Sequence, residues 1–308
     1  MNNRTTNQPD TKPLEPFVFC TTSRTIFNLP VWMTLEKGFF LEERLDVSVI
    51  VADNLDHEIQ LVNDGEVQVG LSAPDAIMAQ NGAAKTVIVA GNAERLPHFI
   101  IANPRIKTFA DLKGATFGVA GAHDGTTSLM GEIAKAGGFL ASDLTLKVTG
   151  GAPTRVALLK DGSIDAAMQP FPQYYLSEAD GFTNLGPMLD LVPYYLFAAY
   201  VVEKNWAKAN RHKLVSFLRA LARGNDAMFS DKDTAAAVVA REMNTPIKLA
   251  RRAVDDAIRL RILSRDLSVS RVSLERVFQT MKETGRVGGD AKFEWSSFVD
   301  ETYLAATR

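Results

Sequence analysis

Between residues 16 and 202, short apolar runs alternate with segments of helical periodicity. That alternation restricts the chain to βαβ units built around a mainly parallel sheet. Phe17, Val18 and Phe19 mark a buried strand over 16–21. A helix is expected over 29–37, with Pro30 in its first turn and Gly38 as its stop. Residues 47–51, VSVIV, read as a β-branched strand, followed by a helix over 57–63 and a strand over 67–71. Ser72 is placed to cap a helix that runs to Gln80, and a strand over 86–90 closes the set. The same logic then repeats. Strands are expected at 99–102, 116–119, 145–148, 164–168 and 197–202, with helical segments at 108–112, 126–135, 153–160 and 172–178. From Trp206 onward only helical periodicity remains, over 208–228, 231–243, 247–263 and 273–284.

The expectation is an α/β protein of two lobes, each a mainly parallel sheet flanked by helices, with a helical C-terminal region on the first lobe. Residues 1–15 read as a disordered polar tail, 16–95 as the first lobe and 96–197 as the second. Residues 198–308 return to the first lobe and supply the C-terminal helices, so the crossings fall near 92–98 and 194–200.

A chain of 308 residues with 46% apolar and 23% charged residues can build a large core without metals or disulfides. A net charge of −2 argues against nucleic acid or an anionic membrane as a bulk partner. The single cysteine, Cys20, excludes an internal disulfide framework and any cysteine-based metal cluster. No apolar run is long enough for a membrane span. The opening MNNRTTNQPDTKPLE lacks the apolar stretch of a secretory signal, which as written points to the cytoplasm, or to the periplasm if the start is misassigned or processed.

Four segments carry a family resemblance. They are LPVWMTLEKGFFLEERLDV at 29–47, LVNDGEVQVGLSAP at 61–74, IKTFADLKGATFGV at 106–119 and LLKDGSIDAAMQP at 158–170. In order and spacing they resemble the substrate-binding proteins of nitrate/sulfonate/taurine-type ABC importers, a family that includes thiamine-precursor receptors. The resemblance implies the type II periplasmic-binding-protein fold, a monomer, a small-molecule ligand in a cleft between lobes and an importer permease as partner. It implies no cofactor and no metal. Cytoplasmic enzymes on the same fold are the other branch: a thiamine pyrimidine-precursor synthase, aromatic decarboxylases and an aromatic desulfinase.

In such a fold ligands sit at the carboxyl ends of the strands. The candidate contacts are therefore Thr22, Ser23 and Arg24 after the first strand, Asn54 and His57 after the second, and Ser72 after the third. From the second lobe come His123, Thr126, Thr127, Arg155, Gln169 and Phe171. The glycine- and threonine-bearing loop 120–127 and the Gly150–Pro153 turn each precede a helix, and helix N-termini favour anions. Arg24 and Arg155 could fork a carboxylate or sulfonate, although a solvated arginine is the ordinary alternative. A small anionic organic solute of the sulfonate, aromatic carboxylate or thiamine-precursor class is thus expected. Phe27, Trp32 and Phe171 could stack on a planar ligand, with a core position the alternative for Trp32.

For an enzyme the group to examine is Cys20 with His57 and Arg24. The desulfinase of this fold resembles the chain in carrying a cysteine after its first strand and a histidine after its second. A buried cysteine acting as a small hydrophobe is the alternative. His98 and His212 read as structural or solvated, and the histidines have no carboxylates at metal-ligand spacing.

Overall fold

The computed structural model describes residues 13–79, 84–121, 125–149 and 151–308. In chain order the elements are β1 (Glu15–Thr21), α1 (Leu29–Glu36), α2 (Phe39–Glu42), β2 (Leu45–Val51), α3 (Leu55–Asn63), β3 (Val69–Ser72), α4 (Pro74–Met78) and β4 (Thr86–Ala93). Next come β5 (Phe99–Ala102), β6 (Thr116–Val119), α5 (Met130–Gly137), β7 (Thr145–Val148), α6 (Ala152–Lys160), β8 (Ala166–Gln169), α7 (Gln173–Ala179), β9 (Thr183–Pro187) and β10 (Ala198–Glu203). The remainder is helical: α8 (Lys204–Ala209), α9 (Arg211–Ser230), α10 (Lys232–Glu242), α11 (Ile247–Arg259), α12 (Arg271–Glu283), α13 (Trp295–Phe298) and α14 (Thr302–Ala305).

The strands form two five-stranded sheets, ordered β2-β1-β3-β10-β4 and β7-β6-β8-β5-β9. In the first, β1 runs parallel to β2 and β3, while β10 is antiparallel to both β3 and β4. In the second, β6 runs parallel to β7 and β8, and β5 is antiparallel to β8 and β9. The chain is thus an α/β protein of two mixed sheets, each mainly parallel and flanked by helices.

Register determines how the sheets meet. Ala93 at the carboxyl end of β4 lies beside Ala198 at the start of β10, and Ala199 pairs with Ser72. In the other sheet Phe99, which opens β5, pairs with both Gln169 and Pro187. Residues 94–98 and 188–197 therefore connect two sheets whose parallel strands point their carboxyl ends at each other.

Several boundaries differ from expectation for readable reasons. β3 runs through Ser72 because that residue pairs with β10, so the residue preceding α4 is Ala73 and no side chain caps the helix. β4 extends to Ala93 for the same reason, since β10 pairs along its whole length. β9, with the sequence TNLGP, shows no apolar alternation and joins the sheet at an edge through its pairing with β5. Glu15, expected in the polar tail, opens β1 with its N–H bonded to the Arg44 carbonyl. Residues 1–12 and the expected helix end at Gln80 lie outside the described residues.

The core explains the C-terminal helices. Phe217 of α9 stacks at 4.8 Å on Phe17 of β1 and at 5.0 Å on Phe40 of α2. Full burial of each such ring contributes roughly 2–3 kcal/mol. α9 reaches α1 so closely that a Cβ on Gly224 would stand 2.7 Å from the Thr34 backbone nitrogen. The helical region also reaches the second sheet. Arg276 of α12 pairs with Glu132 of α5 at 2.6 Å, and α11 meets α7 through Asp256. The C-terminal helices therefore pack on the first sheet's side, and α11 and α12 also touch α7 and α5 of the second.

Candidate functional site

The facing strand ends gather the loops that follow β1, β2 and β3 with those that follow β6, β7 and β8, beside the crossings 94–98 and 188–197. Aromatic rings line the crossings. Phe27 lies 5.2 Å from Phe197, and the His98 ring meets Phe197 edge-on at 5.1 Å. Phe99 stacks on Tyr174 at 3.9 Å and lies 6.1 Å from Phe171.

Buried polar groups cluster at the same edges. Gln169 ends β8 with no exposed surface, and among the described residues neither its amide oxygen nor its amide nitrogen has a hydrogen-bond partner. Asn92, near the end of β4, donates to the Phe27 carbonyl at 3.0 Å and to the Tyr200 hydroxyl at 2.9 Å. Asn28 donates to the carbonyls of Ser23 and Thr25, which closes the loop after β1. Asn28 and Asn92 escaped the sequence reading. Their polarity inside otherwise apolar flanks, FNLP and AGNA, is the signal that could have found them.

The expected contacts divide. Gln169 and Arg155 lie buried together at the end of β8, where Arg155 Nε donates to the Met168 carbonyl at 3.1 Å. That bond turns Arg155 toward the strand end rather than outward as a free fork. Arg24 is exposed and paired with Glu242 of α10. Ser23 is exposed and Thr22 half-buried at the rim. Asn54 accepts from the His57 N–H at 2.9 Å and so caps α3. His57 itself stands half-exposed, with Nδ1 3.2 Å from an Asp53 carboxylate oxygen. Thr127 donates to the Gly121 carbonyl at 2.7 Å. Phe171 is fully buried among Phe99, Tyr174 and Tyr175, and Trp32 is in the core. His98 is buried at the first crossing and His212 is exposed on α9. His123 and Gly150 lie outside the described residues.

Cys20 and Ser72 face away from the meeting strand ends. Cys20 is fully buried with Ala52, Val62 and Val67, beneath α3 on the outer side of the first sheet. Burial pushes its thiol up to about 11, and the neighbouring Glu58 carboxyl adds to the rise. No hydrogen bond among the described residues joins Cys20 to His57 or Arg24. A thiol in that position is a poor nucleophile. Ser72 follows Gly70 on the same strand face and lies against Glu58, whose carboxyl takes the space left by the missing Gly70 side chain. Burial raises Glu58 to about 8, outweighing the Ser72 hydroxyl and Leu71 backbone that favour its charged form. No cluster of three or more histidine, cysteine or carboxylate side chains suited to a metal occurs among the described residues. No helix among them is long and apolar enough to cross a membrane.

The comparisons agree with this geometry. The chain is 22% identical over 248 residues to a 4-amino-5-hydroxymethyl-2-methylpyrimidine phosphate synthase of Uromyces fabae, covering 72% of this chain and 70% of that protein. It is 26% identical over 212 residues to a formylaminopyrimidine-binding protein of Halalkalibacterium halodurans, covering 67% of this chain and 63% of that one. In structure it superposes on the periplasmic aliphatic sulphonate binding protein SsuA of Escherichia coli with a TM-score of 0.72 at 16% identity, covering 93% of this chain and 92% of that one. The fold is therefore that of the periplasmic binding proteins. Residues 28–235 match the family described as NMT1/THI5 like, and the chain belongs to that family.

Proposed function

We propose that the protein is the substrate-binding component of an ABC importer, holding a small organic solute where the carboxyl ends of its two sheets meet. The observation that carries the reading is Gln169, a fully buried amide at the end of β8 whose two polar atoms have no partner among the described residues. Leaving such an amide dry is costly, and a bound solute would satisfy it. The aromatic rings of the crossings supply flat apolar walls for that solute. Binding needs no catalytic group, and the one cysteine is turned behind the sheet. The receptor reading implies a periplasmic protein, a permease that recognises the ligand-bound form, and a monomer.

An enzyme is the second reading, favoured by the synthase name of the Uromyces relative. Thermal shift against a panel of aminopyrimidines, sulfonates and aromatic acids, with product analysis of the same samples, separates the two. Stabilisation with the solute unchanged, weakened in Gln169→Leu, supports the receptor. Turnover that depends on Cys20 or His57 contradicts it.

A further inference from the structure

α12 bonds to both crossings and to both lobes. The Ser273 hydroxyl donates to the Glu94 carbonyl at 3.2 Å, and the Leu196 N–H donates to the Ser273 carbonyl at 3.1 Å. Just past the helix, Arg286 pairs with Asp75 of α4 at 2.6 Å, which ties that end to the first lobe. From the middle of the helix Arg276 reaches the second lobe, pairing with Glu132 of α5 at 2.6 Å. The two side chains of that pair are 24% and 26% exposed. On the same flank the second-lobe loop comes close to Asp75, where a Cβ on Gly125 would stand 3.3 Å from its carboxylate.

Arg276 has a second carboxylate at hand. Glu283 of its own helix stands 3.5 Å from the other terminal guanidinium nitrogen, and the Gln279 amide donates to the same Glu283 oxygen at 3.1 Å. A guanidinium released by Glu132 therefore keeps an acidic partner. The opposite flank has no such alternative. There Asp256, 9% exposed, accepts from Tyr174 and Tyr175 of α7, and drawing α7 away would strip a buried carboxylate oxygen of both hydroxyl donors. Two separately packed sheets joined by two short crossings are free to rotate about them, and the flank that parts is the one that loses least.

We infer that Arg276 is a two-position latch. Paired with Glu132 it holds the lobes closed; turned to Glu283 it lets the α5 flank open, with the α7–α11 contact as the pivot.

The test uses no solute, so its outcome is separate from that of the receptor reading. Nitroxide labels go on the full chain in a Cys20→Ala background, at Ser48→Cys on β2 and Thr145→Cys on β7. Both positions are exposed and lie on outer strands of the two sheets, away from the crossings. Pulsed dipolar spectroscopy then reads the distance between the lobes. Glu132→Gln should raise the longer-distance population relative to the shorter about two- to fivefold, the scale of one partly exposed ion pair. Glu283→Gln should shift it the other way, because the open position loses its partner. Glu132→Lys combined with Arg276→Glu should return the population to the parent level or below, since the reversed pair again joins the lobes and repels Glu283. An unchanged distribution in Glu132→Gln overturns the inference. So does a shift in the same direction for Glu132→Gln and Glu283→Gln, or a reversed pair that stays as open as Glu132→Gln.

Discussion

The Tyr175 hydroxyl donates to Asp256 Oδ2 at 2.8 Å, and this bond joins α7, which follows the second sheet, to α11 of the C-terminal helices. Tyr174 donates to the same oxygen at 2.9 Å, and Arg259 reaches Oδ1 at 2.6 Å. Arg252 lies 3.9 Å over the Tyr175 ring and bonds Glu178 at 3.2 Å. Burial pushes both tyrosine hydroxyls well up, so they remain donors at any physiological pH. Burial also opposes the charge on Asp256, but the bonds from Arg259, Tyr175 and Tyr174 hold its carboxyl below the ordinary value.

Removing both hydroxyls, as in Tyr174→Phe with Tyr175→Phe, leaves Asp256 Oδ2 with no close hydrogen bond and only the Arg252 guanidinium 3.8 Å away. The expected loss is about 1–3 kcal/mol of stability in urea denaturation. Either single variant loses less, because the other tyrosine keeps Asp256 satisfied. A double variant as stable as the parent would show that this contact holds nothing together.

Glu58 makes stability depend on pH. Its folded value of about 8 lies above the ordinary 4.5, so its contribution is complete below about 4.5 and is lost as pH rises toward 8. The groups against it are the Cys20 thiol, the Ser72 hydroxyl and the Leu71 backbone, none of them cationic. Denaturation curves between these limits should show a fall on the order of 3 kcal/mol that Glu58→Gln removes. Parallel profiles for parent and variant would contradict this account of Glu58.

Gly224→Ala tests the approach of α9 to α1. The added Cβ would meet the Thr34 nitrogen at 2.7 Å and its Cα at 2.8 Å, so backbone has to move. A loss of about 3 kcal/mol is expected from such overpacking, measured as a lower denaturation midpoint. An unchanged midpoint would show that the two helices part without cost.

How much of this was readable beforehand depends on the distance over which the information acts. The strand at 99–102 and those at 116–119 and 145–148 were legible because local alternation and β-branching specify them. β9 was not, because TNLGP becomes a strand only through its edge pairing with β5. Gln169 was singled out from its expected place at a strand end, and it does end β8. Cys20 and Ser72 occupy equally suggestive places, but strand parity turns both side chains toward α3. Arg24 and Arg155 looked like anion forks because their partners, Glu242 and the Met168 carbonyl, cannot be assigned from sequence.

The position of Cys20 gives a direct chemical check. A thiol raised to about 11 and fully buried should resist labelling by an aromatic disulfide near neutral pH until the chain unfolds. Rapid labelling of the folded protein would place the sulfur elsewhere.

The most direct measurement is a calorimetric titration with the solute that stabilises the protein most, followed by mass-spectrometric recovery of that solute. The account predicts one equivalent bound per chain, recovered unchanged, with affinity retained in Cys20→Ala and weakened in Gln169→Leu. A solute recovered as product, with conversion abolished in Cys20→Ala or His57→Ala, would contradict it.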